Sequence, residues 1–453
     1  MAHSKNFTRG SIPKQLICFT LPFMASNALQ VLYSIVDMII VGKFVGTAGL
    51  SAVSQSSQIL NFATMLSLGF SNAGQVLVSQ AIGAGKKREQ NSIIGTLFTL
   101  ILAIGAVLSA AILLLSRSIL TWINIPAEAR SDAMGYLIIC GAGLIFTAGY
   151  NMVSAVLRGM GDSKSPFLFI GIATLVNLVL DILFTGILGF GVAGAAYATI
   201  IGQAVSFLFS LFYLYRRREA FGFDFRLESF RPNRHYAGMI FNLGTPMAIQ
   251  SGCINISMLF VNALINGVGL VESAAFGVGV RIDDIFNKIS QGLQYAAMPM
   301  ISQNIAAKES ERAVRVVYWT WIYSFIFTVI TFITYICFGE VLFRLFSDDP
   351  AVHAMADTFV AAILWMFPAL AIMRGSGAFI QGIGNAKLGL VLSLLDGVVL
   401  RICFSVLFGI VLGWGFYGFV LGYGAAAYGF AIPSALYFLR GRWKKQTTLA
   451  DEM

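Results

Sequence analysis

Long apolar runs separated by short charged stretches make up almost the whole chain. Runs without Asp, Glu, Lys or Arg cover residues 44–85, 90–116, 133–157, 235–271 and 316–339. A helix that spans a membrane needs about 20 mostly apolar residues, so each of these runs is long enough to hold a span. Together with breaks at the glycine-rich turns GFGVAG, NGVG and GWGFYG, the pattern predicts twelve helices, near residues 14–42, 48–83, 90–116, 132–157, 165–188, 192–215, 236–266, 270–306, 313–338, 354–380, 386–412 and 414–439.

The amino-acid composition agrees with a polytopic membrane protein. Of the 453 residues, 57% are apolar and 11% are charged, whereas soluble globular domains carry roughly 25% charged residues. This composition excludes an ordinary soluble enzyme, a disordered regulator and a nucleic-acid-binding protein. The expected partner is the lipid bilayer, with no nucleic acid and no obligatory protein partner.

Lysine and arginine are distributed unequally between the two predicted faces. The face that carries both termini holds 22 of them, the opposite face holds four, and four lie within predicted helices. Because these residues accumulate in cytoplasmic loops, the bias places both termini in the cytoplasm and supports an even number of spans. We therefore expect a multi-pass protein of the cell (plasma or inner) membrane, and topology accounts for the net charge of +9.

An internal repeat divides the chain into two similar halves. RGMGDSK at 158–164 returns as QGIGNAK at 381–387, and GFGVAG at 189–194 returns as GWGFYG at 413–418, so the two shifts agree to within one position. Six helices in each half make the repeats parallel, related by a pseudo-two-fold axis along the membrane normal, as in some transporters. The prediction is an all-α polytopic membrane fold of two six-helix lobes, with an N-lobe at 1–215, a basic cytoplasmic linker at 216–235 and a C-lobe at 236–453.

Acidic and polar side chains in the predicted spans of the N-lobe are the first candidates for a functional site. A carboxylate at mid-membrane costs roughly 2.5–3.5 kcal/mol on insertion scales, which makes Asp37 and Asp181 functional candidates. Polar side chains at helical spacing or at similar depth accompany them: Gln30, Tyr33, Asn177 and Thr199. This set favours a proton or cation site, and the alternative is that each aspartate only bonds a neighbouring helix.

The C-lobe carries a different set of charges within its predicted spans. The repeat places Val261 and Ser405 at the positions of the two N-lobe aspartates, so that acidic pair is absent. Six other charged residues are candidates: Arg281, Asp283, Asp284, Arg374, Asp396 and Arg401. Arg281, Asp284 and Lys288 have the spacing to pair within one helix, and the rest are able to pair between helices. Structural pairing and a role in substrate binding or coupling both stay open.

Other features bear on mechanism and on chemistry. Pro22 removes a backbone bond about two turns into the first helix, where a passive kink is favoured over a moving hinge. The three histidines all lie in predicted tails or loops, which argues against haem, a His-ligated metal and an intramembrane histidine base. No GxxxxGK[ST] motif is present, so transport driven by ATP bound to this chain is not expected. We predict no enzymatic activity and no cofactor.

Three segments resemble the multidrug and toxic compound extrusion (MATE) family. They are VDMIIVGKFVGTAGLSAV at 36–53, VLRGMGDSKSPF at 156–167, and LVNLVLDILF at 175–184 followed by GFGVAGAAYAT. The resemblance covers essentially the whole chain, including its 6 + 6 organisation. It implies two six-helix lobes around a V-shaped cavity, and antiport of cationic or amphipathic compounds in exchange for H⁺ or Na⁺ by alternating access.

The resemblance also implies roles for single residues. The N-lobe cation site of the family maps onto Asp37, Asn177 and Asp181, where Na⁺ is a possible ligand, and Thr199 and Asn151 also match. Residues that contact substrate or the proton network in relatives correspond to Gln30, Tyr33 and Tyr136, and Pro22 corresponds to the proline at which helix 1 bends.

One branch of the family has acidic residues on helices 7 and 10. The corresponding segments here, 250–258 and 368–373, hold no acid. This departure favours coupling through the N-lobe, as in the DinF-like branch. The alternative function is a flippase of the same superfamily for lipid-linked precursors, which Arg281, Arg374 and Arg401 favour and the acidic N-lobe pair disfavours.

Overall fold

The computed structural model describes residues 6–445 and 447–453, including their side chains except at positions 251, 253–256 and 445. Twelve helical segments cover the predicted spans in this described part of the chain. They are α1 (Ile12–Phe44), α2 (Thr47–Gly83), α3 (Lys87–Trp122), α4 (Ala127–Ala142 and Leu144–Gly159), α5 (Lys164–Ile187), α6 (Gly191–Arg216), α7 (Arg234–Asn266), α8 (Leu270–Ala306), α9 (Ser310–Arg344), α10 (Pro350–Gly382), α11 (Ala386–Val411) and α12 (Gly415–Leu439). The predicted all-α fold is confirmed.

Helix ends differ from the predicted ends by a few residues. The largest differences are at the ends of α3 and α9, which continue past Arg117 and Glu340 to Trp122 and Arg344. The sequence pattern places a helix end at the first charge, whereas a helix can continue beyond the apolar layer with charged side chains in solvent.

Length and apolar character identify eight segments as able to cross a membrane on their own, among the residues described. They are α1, α3, α5, α6, α9, α10, α11 and α12. The two halves of α4 make a ninth if their 45° bend belongs to one span. The long segments α2, α7 and α8 are outside this set. In α8 the number of charged residues is high, since it contains Glu272, Arg281, Asp283, Asp284 and Lys288.

The chain forms two compact units, apart from its extreme ends. The first unit comprises Ala25–Ala248, and the second comprises Phe7–Met24 together with Ile249–Glu452. Within the second unit, Phe7 is fully buried and its carbonyl accepts a hydrogen bond of 2.9 Å from Arg312 Nε. The Arg312 guanidinium also donates to the Gly10 carbonyl at 2.8 Å. These contacts explain why the start of α1 belongs to the second unit.

The internal repeat is visible in the backbone. A π-helix covers Ile182–Ile187 in α5 and another covers Val406–Val411 in α11, at equivalent places in the two halves. Each is followed by glycines of positive φ, namely Gly189 and Gly413 at 68° and 69°. The residues directly before the two π-helices are Asp181 and Ser405, the pair that the sequence repeat aligns. Because π-helical turns often occur at functional sites, Asp181 at this junction is a candidate functional residue.

Candidate functional site

A cavity of about 350 Å³ lies inside the first unit. Residues of α1, α2, α4, α5 and α6 form its wall. Seven of the eight N-lobe residues predicted to bind the coupling ion or substrate line it: Gln30, Tyr33, Asp37, Tyr136, Asn151, Asn177 and Thr199. The eighth, Asp181, is not among the lining residues but lies next to Asp37, which is. Five helices therefore bring together side chains that are far apart in the sequence.

The two aspartates form the chemically distinctive part of this cavity. Asp37 is 8% exposed and Asp181 is 1% exposed, and their carboxyl groups lie within hydrogen-bonding reach of each other. Asp37 Oδ1 and both oxygens of Asp181 have no hydrogen-bond donor among the described residues. Two buried carboxylates in contact resist being ionised together, so this pair is suited to hold a proton or a small cation between them.

Neutral oxygen and amide groups surround the pair. Asn177 lies beside Asp181, and neither atom of its amide has a hydrogen-bond partner in the described structure. The hydroxyls of Tyr33 and Thr199 are 3.4 Å apart, and the Tyr33 ring lies near Asp37. Carboxylate, amide and hydroxyl oxygens are ligands that hard cations prefer. The donor set therefore fits either a proton or Na⁺.

Local backbone features place Asp181 and Asn177 at the site. Asp181 is the last α-helical residue before the π-helix of α5, and Asn177 lies one turn earlier on the same face. A Cβ atom at Gly202 would lie 3.1 Å from the Cβ atom of Asn177. The glycine thus allows α6 to approach α5 closely at the level of Asn177, which carries Thr199 toward the cavity.

Several polar residues of the cavity wall were missed by the sequence analysis. They are Ser34, Ser57, Asn61, Thr64, Thr147, Tyr150, Thr174 and Gln203. Helical spacing was the available signal, because Ser57, Asn61 and Thr64 share one face of α2, and Gln203 lies one turn after Thr199. The Gln203 carbonyl oxygen is buried without a partner in the described structure, which makes it the most informative of these residues.

The remaining prediction for the first helix concerns Pro22. It lies inside α1, which is continuous from Ile12 to Phe44, and the boundary between the two compact units falls between Met24 and Ala25. Pro22 aligns in the repeat with Pro246, which lies inside α7 in the same way. A role of Pro22 as a hinge stays a prediction.

The candidate charges of the second unit separate into a buried and an exposed group. Asp283, Arg374, Asp396 and Arg401 are buried, whereas Arg281 and Asp284 are exposed. Asp284 forms an ion pair of 2.8 Å with Lys288 at the predicted spacing of four residues. Two positive and two negative buried charges give this cluster no net charge.

The buried partners differ in part from those expected. Asp396 and Arg401 form an ion pair of 3.7 Å within α11, five residues apart, because Asp396 lies in the π-helix Leu395–Leu400. Arg374 does not join them and donates instead to the side chain of Asn287 on α8. Tyr423 links the two groups, since its hydroxyl donates to Asp283 at 3.1 Å and its ring lies under the Arg401 guanidinium.

Comparisons with known proteins define the class of this molecule. A family model described as MatE matches residues 22–183 and again residues 246–407. The two matches are equal in length and lie at equivalent places in the two halves, which confirms the internal repeat. Their combined length exceeds half of the chain. The chain therefore belongs to the MatE family.

Relatives and solved structures agree with this assignment. The chain is 30% identical over 447 residues to a Bacillus subtilis (strain 168) protein described as "Probable multidrug resistance protein YpnP", with 99% of both chains covered. It is 26% identical to the Thermotoga maritima protein described as "Probable multidrug resistance protein NorM", over 97% of this chain and 95% of the other. A solved MATE family transporter of the MOP superfamily, in an outward-facing conformation, matches 99% of this chain and 100% of its own, with a TM-score of 0.93 and 23% identity.

Proposed function

We propose that this protein is a secondary active antiporter that exports cationic or amphipathic compounds in exchange for H⁺ or Na⁺ by alternating access. The observation that carries the proposal is the proximity of the Asp37 and Asp181 carboxyl groups beside a cavity of about 350 Å³, where Asp37 Oδ1 and both oxygens of Asp181 have no hydrogen-bond donor among the described residues. The names of relatives as multidrug resistance proteins support export of drug-like compounds.

In the proposed mechanism, the substrate and the coupling ion compete for the negative charge of Asp37 and Asp181. When both aspartates are ionised, their field holds a cationic substrate in the cavity. When H⁺ or Na⁺ binds between them, with Asn177 and Thr199 as further oxygen ligands for Na⁺, that field weakens and substrate is released. Export requires the ion to enter the site from outside and to leave it toward the cytoplasm.

The arginines of the second unit bear on the flippase alternative. A cavity for a lipid pyrophosphate needs positive charge that is not already compensated. Arg401 pairs with Asp396, and Arg374 lies near the carboxylate of Asp283. Because opposite charges accompany Arg374 and Arg401, these two arginines favour cation export over transport of an anionic lipid precursor, while Arg281, the third arginine of this alternative, is exposed.

The test of the function is ethidium efflux from cells that express the full chain. We expect energised cells to lower their ethidium content severalfold relative to cells with an empty vector. If H⁺ is the coupling ion, a protonophore that dissipates the proton gradient should abolish the difference. If Na⁺ is the coupling ion, monensin, which dissipates the sodium gradient, should abolish it. Equal ethidium content with and without the protein, for this and other organic cations, would contradict the proposal.

We further propose a location in the cell membrane with both termini in the cytoplasm. A cysteine placed at Leu227, the most exposed large apolar residue of the linker at 216–235, should not react with an impermeant maleimide added to intact cells. It should react after the cells are permeabilised. A cysteine at Trp122, beyond Arg117 at the opposite end of α3, serves as the matched control and should react from outside. Labelling of position 227 in intact cells would reverse the orientation.

A further inference from the structure

Three consecutive arginines lie at the C-terminal end of α6. Arg216, Arg217 and Arg218 carry their guanidinium groups over the rings of Phe212, Tyr213 and Tyr215 at 5.3, 4.8 and 5.3 Å, respectively. Each arginine thus folds back by about one helical turn and does not extend away from the helix. Stacking on an aromatic face uses the plane of a guanidinium and leaves its N–H edge free to donate.

The arginine triplet lies at the end of a candidate membrane span, where lipid headgroups are expected. Helix α6 qualifies as a membrane span, and its last exposed apolar side chains include Leu208, Phe212 and Tyr215 at 58%, 54% and 48% exposure. Exposed apolar residues on a span face lipid, and aromatic rings typically mark the membrane–water interface. Guanidinium groups lying on the Phe212 and Tyr215 rings therefore lie where lipid phosphates lie.

No ion pair compensates the positive charge of the triplet among the described residues, and the carboxylate of Asp162 accepts a hydrogen bond from the Tyr213 hydroxyl beneath Arg217. Among the described residues, no ion pair and no hydrogen bond involves the side chain of Arg216, Arg217 or Arg218. Arg226, in contrast, lies 4.0 Å from Asp224. The hydroxyl of Ser229 donates to Asp224 and lowers the pKa of that carboxyl, so Asp224 stays ionised beside Arg226.

The linker after the triplet is fixed against α3. The Phe223 ring stacks on Phe98 at 5.8 Å, and Gln90 Nε2 donates to the Phe221 carbonyl at 2.7 Å. A Cβ atom at Gly95 would collide with the Ser229 carbonyl oxygen, so only glycine permits this close approach. Because the chain on both sides of the triplet is held in place, the positions of the guanidinium groups are restricted. Arg216 and Arg218 lie over the exposed rings of Phe212 and Tyr215, whereas Arg217 lies over Tyr213, whose hydroxyl donates to Asp162 at 3.2 Å.

We propose that Arg216, Arg217 and Arg218 form a binding surface for the phosphate of an anionic phospholipid in the adjacent leaflet. Arginine recognises phosphate through paired N–H donors, and anionic lipids attract basic residues at this level. The uncompensated charge favours an anionic over a zwitterionic headgroup, because a zwitterionic lipid brings its own cation. The occupant is the lipid itself, since the exposed rings below the arginines contact acyl chains.

The test uses the purified full chain in phosphatidylcholine vesicles with trace spin-labelled phosphatidylglycerol or spin-labelled phosphatidylcholine. The fraction of immobilised label gives the preference of the protein surface for the anionic lipid. Each arginine near an anionic surface contributes roughly a fivefold factor. We expect the triple variant R216Q/R217Q/R218Q to lower the preference at least about fivefold.

Two matched variants distinguish binding of the lipid at a structured site from a general effect of positive charge. R226Q/R231Q/R234Q removes the same charge from the same linker and should change the preference less than about twofold. F212L/Y213L/Y215L keeps every charge and should still lower the preference, because the rings position the guanidinium groups. The proposal is overturned if both arginine triples have equal effects or if the aromatic triple has none. If the first triple does not fold, Arg218→Gln alone must still weaken the preference.

Discussion

Replacing either aspartate of the buried pair with asparagine should abolish export. Asp37→Asn and Asp181→Asn keep the side-chain shape but remove a group that binds H⁺ or Na⁺ reversibly, so we expect ethidium efflux to fall at least tenfold, to the level of cells without the protein. Folding should persist, because each change removes one of two buried carboxyl groups that repel each other when ionised. The measurement is efflux in cells, normalised to the amount of folded protein.

The control for this prediction is an aspartate in another helix of the same chain. Asp284→Asn also removes a carboxylate, but Asp284 is exposed and pairs with Lys288 at the surface of α8. Efflux should change less than about twofold, because an exposed pair of this kind contributes little to stability. Near-normal efflux in the Asp37→Asn variant would contradict coupling through the first unit.

Removing one partner of the Asp396–Arg401 ion pair should strongly lower the stability of the fold. Both side chains are almost buried, at 8% and 11% exposure. Removing one partner of a buried pair leaves an uncompensated charge and costs about 3–5 kcal/mol. Asp396→Asn and Arg401→Gln should each lower the midpoint of thermal unfolding in detergent by several degrees.

A double-mutant cycle separates the pair from other contacts. The double variant D396N/R401Q should lose less stability than the sum of the single changes, because neither charge is left alone. Asp284→Asn, which breaks the exposed pair, should shift the midpoint little. Additive effects of the two single changes would show that the Asp396–Arg401 contact does not stabilise the fold. Asp396→Asn should also reduce efflux less than Asp37→Asn does, once normalised for folded protein.

The elements that the sequence predicted well are those determined by local pattern. Long apolar runs with few or no charges, together with glycine-rich breaks, located all twelve segments, and the repeat aligned Asp181 with Ser405, the pair that directly precedes the matching π-helices. Helical spacing grouped Gln30, Tyr33 and Asp37, which all line the cavity.

The elements that the sequence did not predict depend on packing between helices. The polar face of α2 at Ser57, Asn61 and Thr64 has no charge to mark it, so its place in the cavity wall follows only from the fold. The π-helix of α11 changes which side chains share a face, and this pairs Asp396 with Arg401 at a spacing of five residues. A search at spacings of three and four residues misses such a pair.

Competition between ion and substrate is the central claim, and binding to the purified protein tests it directly. Ethidium affinity should rise between roughly pH 5 and pH 9, by at most about tenfold per pH unit if one proton is displaced, or it should fall as Na⁺ is added at fixed pH. Asp37→Asn should remove that dependence, whereas Asp284→Asn should keep it. An affinity that is constant over this pH range and indifferent to Na⁺ in the unaltered protein would contradict the account.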